Sequence, residues 1–193
     1  EALALIERET IPRKKKSTVI YQPHWHKGVI GIVASRLIEH YYRPTIVLTK
    51  SGDLVAGSAR SIPGFNIHEG LEQCSDLLIG FGGHYFAAGM TLNPENVEAF
   101  IERFENIVAS SVSDEFFSPE LSINAVINFT DINQSFYNTL TQMEPFGPEN
   151  SMPVFIARGV KNDGRSKIVK EKHIRFSLSQ QGRTINGIGF NMQ

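Results

Sequence analysis

Three short clusters in the first half of the chain combine cationic or hydroxyl side chains with glycine, a combination suited to binding phosphate. The first cluster, His24–Gly28 (HWHKG), immediately precedes a predicted helix. The free N–H groups and positive dipole end of that helix would attract an anion, and His26 and Lys27 add donors beside them. Metal binding by His24 and His26 is an alternative, although no third ligand follows at a usual spacing. Local packing of the loop is the structural alternative.

The second cluster, Gly57–Ser61 (GSARS), lies at the end of a predicted strand. Because side chains alternate along a strand, Ser58 and Arg60 are expected on one face of the sheet. A hydroxyl beside a guanidinium forms a fork of donors that matches phosphate oxygens. An ordinary surface arginine is the alternative interpretation.

The third cluster, Gly80–His84 (GFGGH), is rich in glycine and is followed by more small residues at 87–89. Consecutive glycines allow the backbone to approach a ligand closely or to adopt positive φ, and His84 could donate to a phosphate. The pattern matches neither a P-loop nor a dinucleotide-binding fingerprint. We predict an irregular segment over 81–89, and a plain tight turn is the alternative.

Strands and helices alternate over residues 17–112, which predicts an α/β unit. Apolar residues at positions 29, 33 and 37 predict the buried stripe of a helix over 28–41, with Arg36 at the edge of that stripe. A second helix is predicted to begin with Asn93 as N-cap and Pro94 at its first position. Its apolar stripe comprises Val97, Phe100, Ile101, Phe104, Ile107 and Val108.

The last part of the chain has a different sequence pattern, in which short β-rich runs are separated by glycine turns. This pattern predicts a small all-β barrel. Residues 151–193 hold eight Lys or Arg and two acidic residues, whereas residues 93–150 hold one and ten. A small barrel with basic loops is typical of single-strand binding, and a solvated basic face is the alternative. The basic residues expected to contact nucleic acid are Lys161, Arg165, Lys167, Lys170, Lys172 and Arg175.

Composition excludes several classes of protein. With 193 residues and 41% hydrophobic content, the chain can bury a sizeable core, and no apolar run approaches the roughly 20 residues of a membrane helix. One cysteine excludes a disulfide framework and a multi-cysteine zinc site. The aspartates form no DxD or Asp-His-His run, so we expect neither a catalytic residue nor a metal site within this sequence.

Five motifs in order resemble the C-terminal half of RecJ-type exonucleases: HWHKGVIGIVASR, RPTIVL, GSARS, FGGHYFAAGMTL and PFGPEN. In that family a DHH domain is followed by a connecting helix, a DHH-associated α/β domain with a mixed sheet, and an OB-fold domain. The resemblance implies that residues 1–9 end the connecting helix, 10–112 form the DHH-associated domain and 113–193 the OB domain. Because the family's OB domain continues beyond the position of Gln193, we expect a fragment whose barrel is incomplete.

The resemblance also implies a function. The family degrades single-stranded DNA from the 5′ end in repair and recombination, using Mn²⁺ or Mg²⁺ held by the DHH domain. It implies single-stranded DNA and the protein's own N-terminal DHH domain as partners, a cytoplasmic location, no membrane contact and no metal in this part of the chain. The positions that match the family's phosphate contacts are Arg36, Ser58, Arg60, Gly82, Gly83, His84 and His26.

We expect the chain by itself to be a non-catalytic nucleic-acid-binding module, inactive as an enzyme. Two other functions of the intact protein are open. The intact protein could be a DHH-family phosphodiesterase acting on short RNA or cyclic dinucleotides, although such substrates need no extended capture surface. Editing of the alanyl-tRNA-synthetase type would need a set of zinc ligands, which one cysteine makes hard to supply.

Overall fold

A computed structural model describes residues 1–8, 15–147 and 149–192, with the side chains of residues 7 and 8 left out. The chain divides into two compact units, Glu1–Pro119 and Glu120–Gln193. The predicted boundary between residues 112 and 113 stays a prediction. A helix, α1 (Ala2–Arg8), lies within residues 1–9, where the end of a connecting helix was predicted, and residue 9 lies outside the described residues. Its role as a connecting helix stays a prediction. No helix in the described part of the chain is long and apolar enough to cross a membrane.

The first unit is built on a mixed five-stranded sheet with the order β1-β2-β3-β5-β4. β1 runs parallel to β2, and the other neighbouring strands pair antiparallel. The strands are β1 (Thr18–Tyr21), β2 (Thr45–Ser51), β3 (Leu54–Arg60), β4 (Leu78–His84) and β5 (Ala87–Leu92), and the later helices are α2 (Ile30–Tyr41), α3 (Ile67–Glu72) and α4 (Val97–Ser111).

The main core lies on the face of the sheet covered by α3 and α4. Phe100 and Phe104 of α4 are fully buried there, with their rings stacked at 6.0 Å. They pack with the inward-facing residues of β2, β3 and β5, including Leu48 and Val55. The predicted apolar stripe of α4 is confirmed, because all its members except the partly buried Ile101 are buried in this cluster.

The opposite face of the sheet is covered by α2, but only over β1 to β3. The predicted stripe of α2 is wrong by about one position: its buried residues are Ile30, Ala34 and Leu37, whereas Val29 is 45% exposed. The helix turns its small residues toward the sheet, which lets its backbone approach β3 closely. Over β5 and β4 no helix of the described part of the chain covers this face, and its glycines are exposed.

The prediction of an irregular segment over 81–89 is wrong, because these residues form a regular hairpin of β4 and β5. Pairing of β5 with β3 extends the sheet to these strands and fixes the extended backbone that glycine does not favour by itself. Phe81 and Met90 face each other across the hairpin and pack against the main core, which anchors the strands.

The helical segment begins where it was predicted, with Asn93 in the N-cap position and Pro94 first. Its first turn is a 3₁₀ turn (Pro94–Asn96) that leads into α4, and the side chain of Asn93 makes no capping hydrogen bond. By contrast, Asn66 does cap α3, since its side-chain oxygen accepts from the His68 N–H at 3.1 Å.

The second unit contains one helix among short strands. A four-stranded sheet has the order β11-β10-β8, with β9 also paired to β10, and β6 pairs separately with β7. Over the described residues the strands therefore form two sheets and not one closed barrel. The elements are β6 (Ala125–Val126), α5 (Gln134–Thr141), β7 (Phe155–Ile156), β8 (Lys161–Asn162), β9 (Lys167–Val169), β10 (His173–Gln180) and β11 (Arg183–Gly189).

Candidate nucleic-acid interface

Strand register brings two of the three predicted clusters onto one face of the first sheet. Arg60 pairs with Ala87, which pairs with His84, and Ser58 pairs with Gly89, which pairs with Gly82. Directly opposed residues point to the same side, so each trio forms a row across β3, β5 and β4. Two strand spacings of roughly 4.8 Å separate the ends of each row by about 10 Å.

Arg60 is held in place by hydrogen bonds on two of its three guanidinium nitrogens. Nη1 donates to Ser58 Oγ at 3.2 Å and to the Ala59 carbonyl at 2.8 Å. Nε donates to Ser35 Oγ on α2 at 3.2 Å. A half-buried arginine fixed in this way presents its remaining N–H groups in a set direction, which suits recognition of an anion.

Two residues of α2 that the sequence analysis missed determine this arrangement. Ser35 Oγ accepts from Arg60 and donates to the Gly31 carbonyl at 3.1 Å. A Cβ at Gly31 would stand 3.1 Å from both Arg60 Nη2 and Ser58 Oγ. Glycine at position 31 therefore makes room for the two side chains. The signal in the sequence is the i, i+4 spacing of a glycine and a serine, which is too common to single out.

The uncovered part of this face is made of glycine. Gly80, Gly82 and Gly89 lie on it and are exposed, and none of them has positive φ. A Cβ at Gly80 or Gly82 would meet nothing within 4 Å, and one at Gly89 would make only an ordinary contact at 3.9 Å. Neither backbone conformation nor packing within the described residues explains these glycines, and they leave the backbone open to the close approach of a ligand.

Gly83 differs from its neighbour Gly82. It has φ +154°, and a Cβ there would lie 2.2 Å from the Ala87 carbonyl oxygen. Gly83 is therefore required by the close approach of β4 and β5, and its presence does not by itself indicate a ligand.

Two exposed histidines near this face use Nδ1 as an acceptor. His26 Nδ1 accepts from the Gly28 N–H at 3.0 Å, and His84 Nδ1 accepts from the Phe86 N–H at 3.4 Å. In the neutral ring the other nitrogen then carries the proton, so both histidines offer an Nε2–H donor.

A groove of about 540 Å³ follows the junction between the start of α2 and the glycine face. Lys27 and Gly28 line one side, Ser58 contributes from β3, and Gly80 and Gly89 line the other side. None of the described residues that line it carries a carboxylate, whereas Lys27 supplies a positive charge. The groove therefore suits an anionic chain better than a neutral ligand.

Two of the predicted residues make contacts elsewhere within the chain. His24 Nε2 lies 3.0 Å from the Glu1 carboxylate, and Trp25 Nε1 donates to the same carboxylate at 3.2 Å, which lowers the pKa of Glu1. Arg36 is exposed, pairs with Glu39 at 2.7 Å and lines a different, more apolar groove that includes Trp25. The structure does not bring Arg36 together with Arg60.

In the second unit, three of the six predicted basic residues share a face of the sheet. Arg175 on β10 pairs directly with Lys167 on β9, and Ser179, four residues further along β10, pairs with Lys161 on β8. All three cations are exposed. Lys170 and Lys172 lie at the end of β9 and before β10, in the turn that connects these strands. Exposed cations on one face are the arrangement that tracks a phosphate backbone.

Arg165, by contrast, is engaged within the chain. Its Nη2 and Nε donate to Asp163 Oδ2 at 2.6 and 2.9 Å, and Ser177 Oγ donates to the same oxygen at 2.7 Å. These donors lower the pKa of Asp163 to about 2. The pair fixes the loop between β8 and β9, so a structural role accounts for Arg165.

The described residues include no group of three His, Cys, Asp or Glu side chains that could hold a metal ion. Cys74 is fully buried, and burial raises the pKa of its thiol to about 11, which makes it unreactive.

Two sequence families match the chain. Residues 14–110 match the DHHA1 domain, and residues 123–193 match the RecJ OB domain. The single-stranded-DNA-specific exonuclease RecJ of Bacillus subtilis is 34% identical over 99% of this chain, and RecJ of Escherichia coli is 30% identical over 100% of it. The chain spans only 24% and 34% of the lengths of those relatives.

A solved structure shows the same fold. The crystal structure of Thermus thermophilus RecJ in complex with Mn²⁺ matches with a TM-score of 0.81 and 25% identity, over 100% of this chain and 28% of that one. The predicted fold class, an α/β DHH-associated domain followed by an OB domain, is confirmed. The chain thus belongs to the DHHA1 domain family, joined to a RecJ OB domain, and the likeness to RecJ-type exonucleases drawn from its motifs is confirmed.

Proposed function

We propose that this chain is the substrate-binding part of a single-stranded-DNA-specific exonuclease and that the glycine face of β5 and β4 receives the sugar–phosphate backbone. The observation that carries the proposal is the row geometry. Gly89 and Gly82, which nothing in the described packing requires, follow Ser58 in one row, and Arg60 and His84 form the two ends of the neighbouring row. Glycine lets phosphates approach the sheet, while the side chains at the edges donate to them.

The residues have separate roles in this proposal. Arg60 supplies charge and directed N–H groups, Ser58 supplies a hydroxyl, and His84 donates from Nε2. His26 and Lys27 extend the positive edge along the groove. These groups position the phosphodiester and stabilise its charge, and they do not activate a nucleophile. Gly83 supports the hairpin, and Arg36 contributes only at a distance, through its charge.

The chemistry belongs to the intact protein. We propose that a preceding DHH domain holds Mn²⁺ or Mg²⁺ and that the protein digests single-stranded DNA from the 5′ end in repair and recombination, in the cytoplasm. The RecJ relatives support this proposal. Residues 1–9 would then end the helix connecting the two domains, with residues 10–112 and 113–193 as the domains that follow.

The second unit is proposed to capture the strand away from the site of cleavage. Its face with Lys161, Lys167 and Arg175 supplies charge, and Lys170 and Lys172 add to it from the turn. Binding of this kind weakens as salt rises, because neutralised phosphates release counterions.

The intact protein with Arg60→Ala tests the proposal. We expect turnover of long single-stranded DNA to fall by at least about tenfold, since a charged hydrogen bond to phosphate contributes roughly 1.5–3 kcal/mol. Metal binding should be unchanged. Arg36→Ala is the matched control, with an expected effect of less than about threefold. Unchanged turnover in the Arg60 variant would remove the glycine face from the mechanism.

The same protein should also be assayed on short RNA and cyclic dinucleotides. Preference for long single-stranded DNA is expected, because the second unit adds binding surface that a dinucleotide cannot use. Faster turnover of the short substrates would contradict the proposal and favour a DHH-family phosphodiesterase.

A further inference from the structure

The tip of the β4–β5 hairpin carries two exposed aromatic side chains. Tyr85 is 38% and Phe86 is 49% exposed, and their rings meet edge to face with centroids 4.6 Å apart. Both rings lie outside the two buried clusters of the first unit. Hairpin tips of this length usually carry glycine, asparagine or aspartate, so two large aromatic residues there call for a reason other than turn formation.

The backbone of the tip is fixed from both sides. The Phe86 carbonyl accepts from the Ser61 N–H at 2.9 Å, and the Tyr85 carbonyl accepts from the Ile67 N–H at 3.0 Å. His84, which begins the turn, accepts the Phe86 N–H on its ring. Because the tip is anchored, the aromatic rings lose little conformational freedom when a ligand binds, which favours affinity.

The tip also continues directly from the proposed phosphate face. It follows the row formed by Arg60, Ala87 and His84, in which His84 and Ala87 close the hairpin. A strand of DNA whose phosphate lies against that row has bases within reach of Tyr85 and Phe86, the turn residues next to the row. An aromatic face stacks on any base, independently of sequence.

We propose that Tyr85 and Phe86 form a base-stacking step for the single strand of DNA whose phosphates lie on the glycine face. The inference rests on the proposed function and adds to it a contact to bases. The step would make binding depend on the presence of bases and not on their identity, which is what a nuclease that digests strands of any sequence requires.

The test compares two oligonucleotides of equal length and charge, oligo-dT and an oligomer of abasic sites, by fluorescence anisotropy with the 193-residue chain. The unaltered chain is expected to prefer oligo-dT by about fivefold or more, within the range measured for single base–aromatic stacks. Tyr85→Ala and Phe86→Ala should each reduce that preference while leaving abasic binding unchanged. Tyr85→Phe should retain it, and Tyr137→Ala, which removes an exposed ring from α5, should not affect it.

The outcomes are distinguishable. Variants that bind both oligomers like the unaltered chain, or that lose affinity for both equally, would overturn the stacking step and leave the phosphate face intact. Failure of the unaltered chain to bind either oligomer would overturn the proposed function as well. Thermal unfolding of each variant checks that the protein is still folded. We expect the melting temperature to be unchanged, because Tyr85 and Phe86 make their anchoring hydrogen bonds through the backbone.

Discussion

At the scale of single residues, the site depends on glycines, which leave space, as much as on the polar side chains around them. Arg60 and Ser58 are oriented by α2, where Gly31 leaves space and Ser35 supplies an acceptor. Across the sheet, Gly82 has no side chain and leaves the glycine face accessible. Orientation of a few donors around an accessible backbone is how a protein binds a phosphate chain without reading its sequence.

Ser35 should act on DNA only through Arg60. Ser35→Ala is expected to weaken oligo-dT binding by about three- to tenfold, because Arg60 Nε loses its acceptor. In an Arg60→Ala background the same change should have almost no effect. Ser35→Thr keeps the hydroxyl and should restore affinity. Anisotropy titrations of the four proteins give the coupling, and an equal loss in both backgrounds would show that Ser35 acts independently of Arg60.

The consecutive glycines should respond oppositely to alanine. Gly83→Ala is expected to lower the melting temperature, because its Cβ would overlap the Ala87 carbonyl. Gly82→Ala should leave the melting temperature unchanged or raise it, since alanine restricts the unfolded chain by about 0.4–1 kcal/mol, yet it should weaken DNA binding. Thermal unfolding and anisotropy on both variants check this pair. A stable Gly82→Ala variant that binds DNA with full affinity would show that the glycine face does not contact DNA.

At the scale of elements, α4 stabilises the sheet with a polar contact as well as its apolar stripe. The Glu105 carboxylate accepts from the Lys16 and Ser17 N–H groups at 2.8 and 2.9 Å and from Ser17 Oγ at 2.5 Å. These bonds fix the start of β1, which is an edge strand of the sheet and pairs with β2. Glu105, which lies outside the apolar stripe of α4, is therefore a structural acceptor.

Glu105→Gln should therefore destabilise the first unit by about 1–3 kcal/mol, because an amide group replaces acceptors that several donors share. Glu102→Gln on the same helix is the matched control, since Glu102 is exposed, and it should change stability by less than about 0.5 kcal/mol. Urea unfolding of the two variants measures the difference. Equal stabilities would mean that the bonds to residues 16 and 17 contribute nothing net.

In the second unit, the loop before β9 should be sensitive to acid. The pKa of Asp163 is lowered to about 2, so its stabilising contribution is complete above the usual carboxyl range and is lost as pH falls toward 2. Asp163→Asn should be less stable than the unaltered protein at pH 5, and the difference should shrink between pH 4 and pH 2. Melting curves over this range test the sign, and a constant difference would contradict it.

Helices and strands could be predicted from the sequence where the apolar residues follow a strong pattern. They were missed where pairing with a distant strand determines the backbone conformation. The stripe of α4 has six apolar residues at helical spacing, and the burial of five of them follows from that pattern. Nothing local indicates that glycine-rich residues 78–84 form a strand, because only pairing with β5 holds them extended. For the site, Ser58 and Arg60 follow from alternation, whereas Gly31 and Ser35 required the packing of α2 against β3.

At the scale of the whole molecule, charge is distributed unevenly along the chain. Residues 151–193 carry a net excess of six positive charges, and residues 93–150 an excess of nine negative ones. The positive part includes the exposed face of the second unit, which bears Lys161, Lys167 and Arg175. The negative part includes α4, which packs on the face of the first sheet opposite to the glycines. A polyanion is thereby attracted to one set of surfaces and repelled from another.

The basic face should determine how binding depends on salt. Replacing Lys161, Lys167 and Arg175 together with glutamine is expected to reduce the slope of log affinity against log salt by about 2, since each phosphate contact on a single strand contributes roughly 0.7. Arg165→Gln should leave the slope unchanged, because Arg165 is paired with Asp163. Oligo-dT titrations at several salt concentrations measure both. An unchanged slope in the triple variant would show that this face does not contact DNA.

The central claim, that the glycine face receives the backbone of single-stranded DNA, is tested most directly by mapping amide chemical-shift changes as oligo-dT is added to the chain. The account predicts that the largest changes in the first unit fall on residues 58–60 and 80–91, with Gly80, Gly82 and Gly89 among them. Changes confined to α4, or to the second unit alone, with these glycine signals unmoved at saturation, would contradict it.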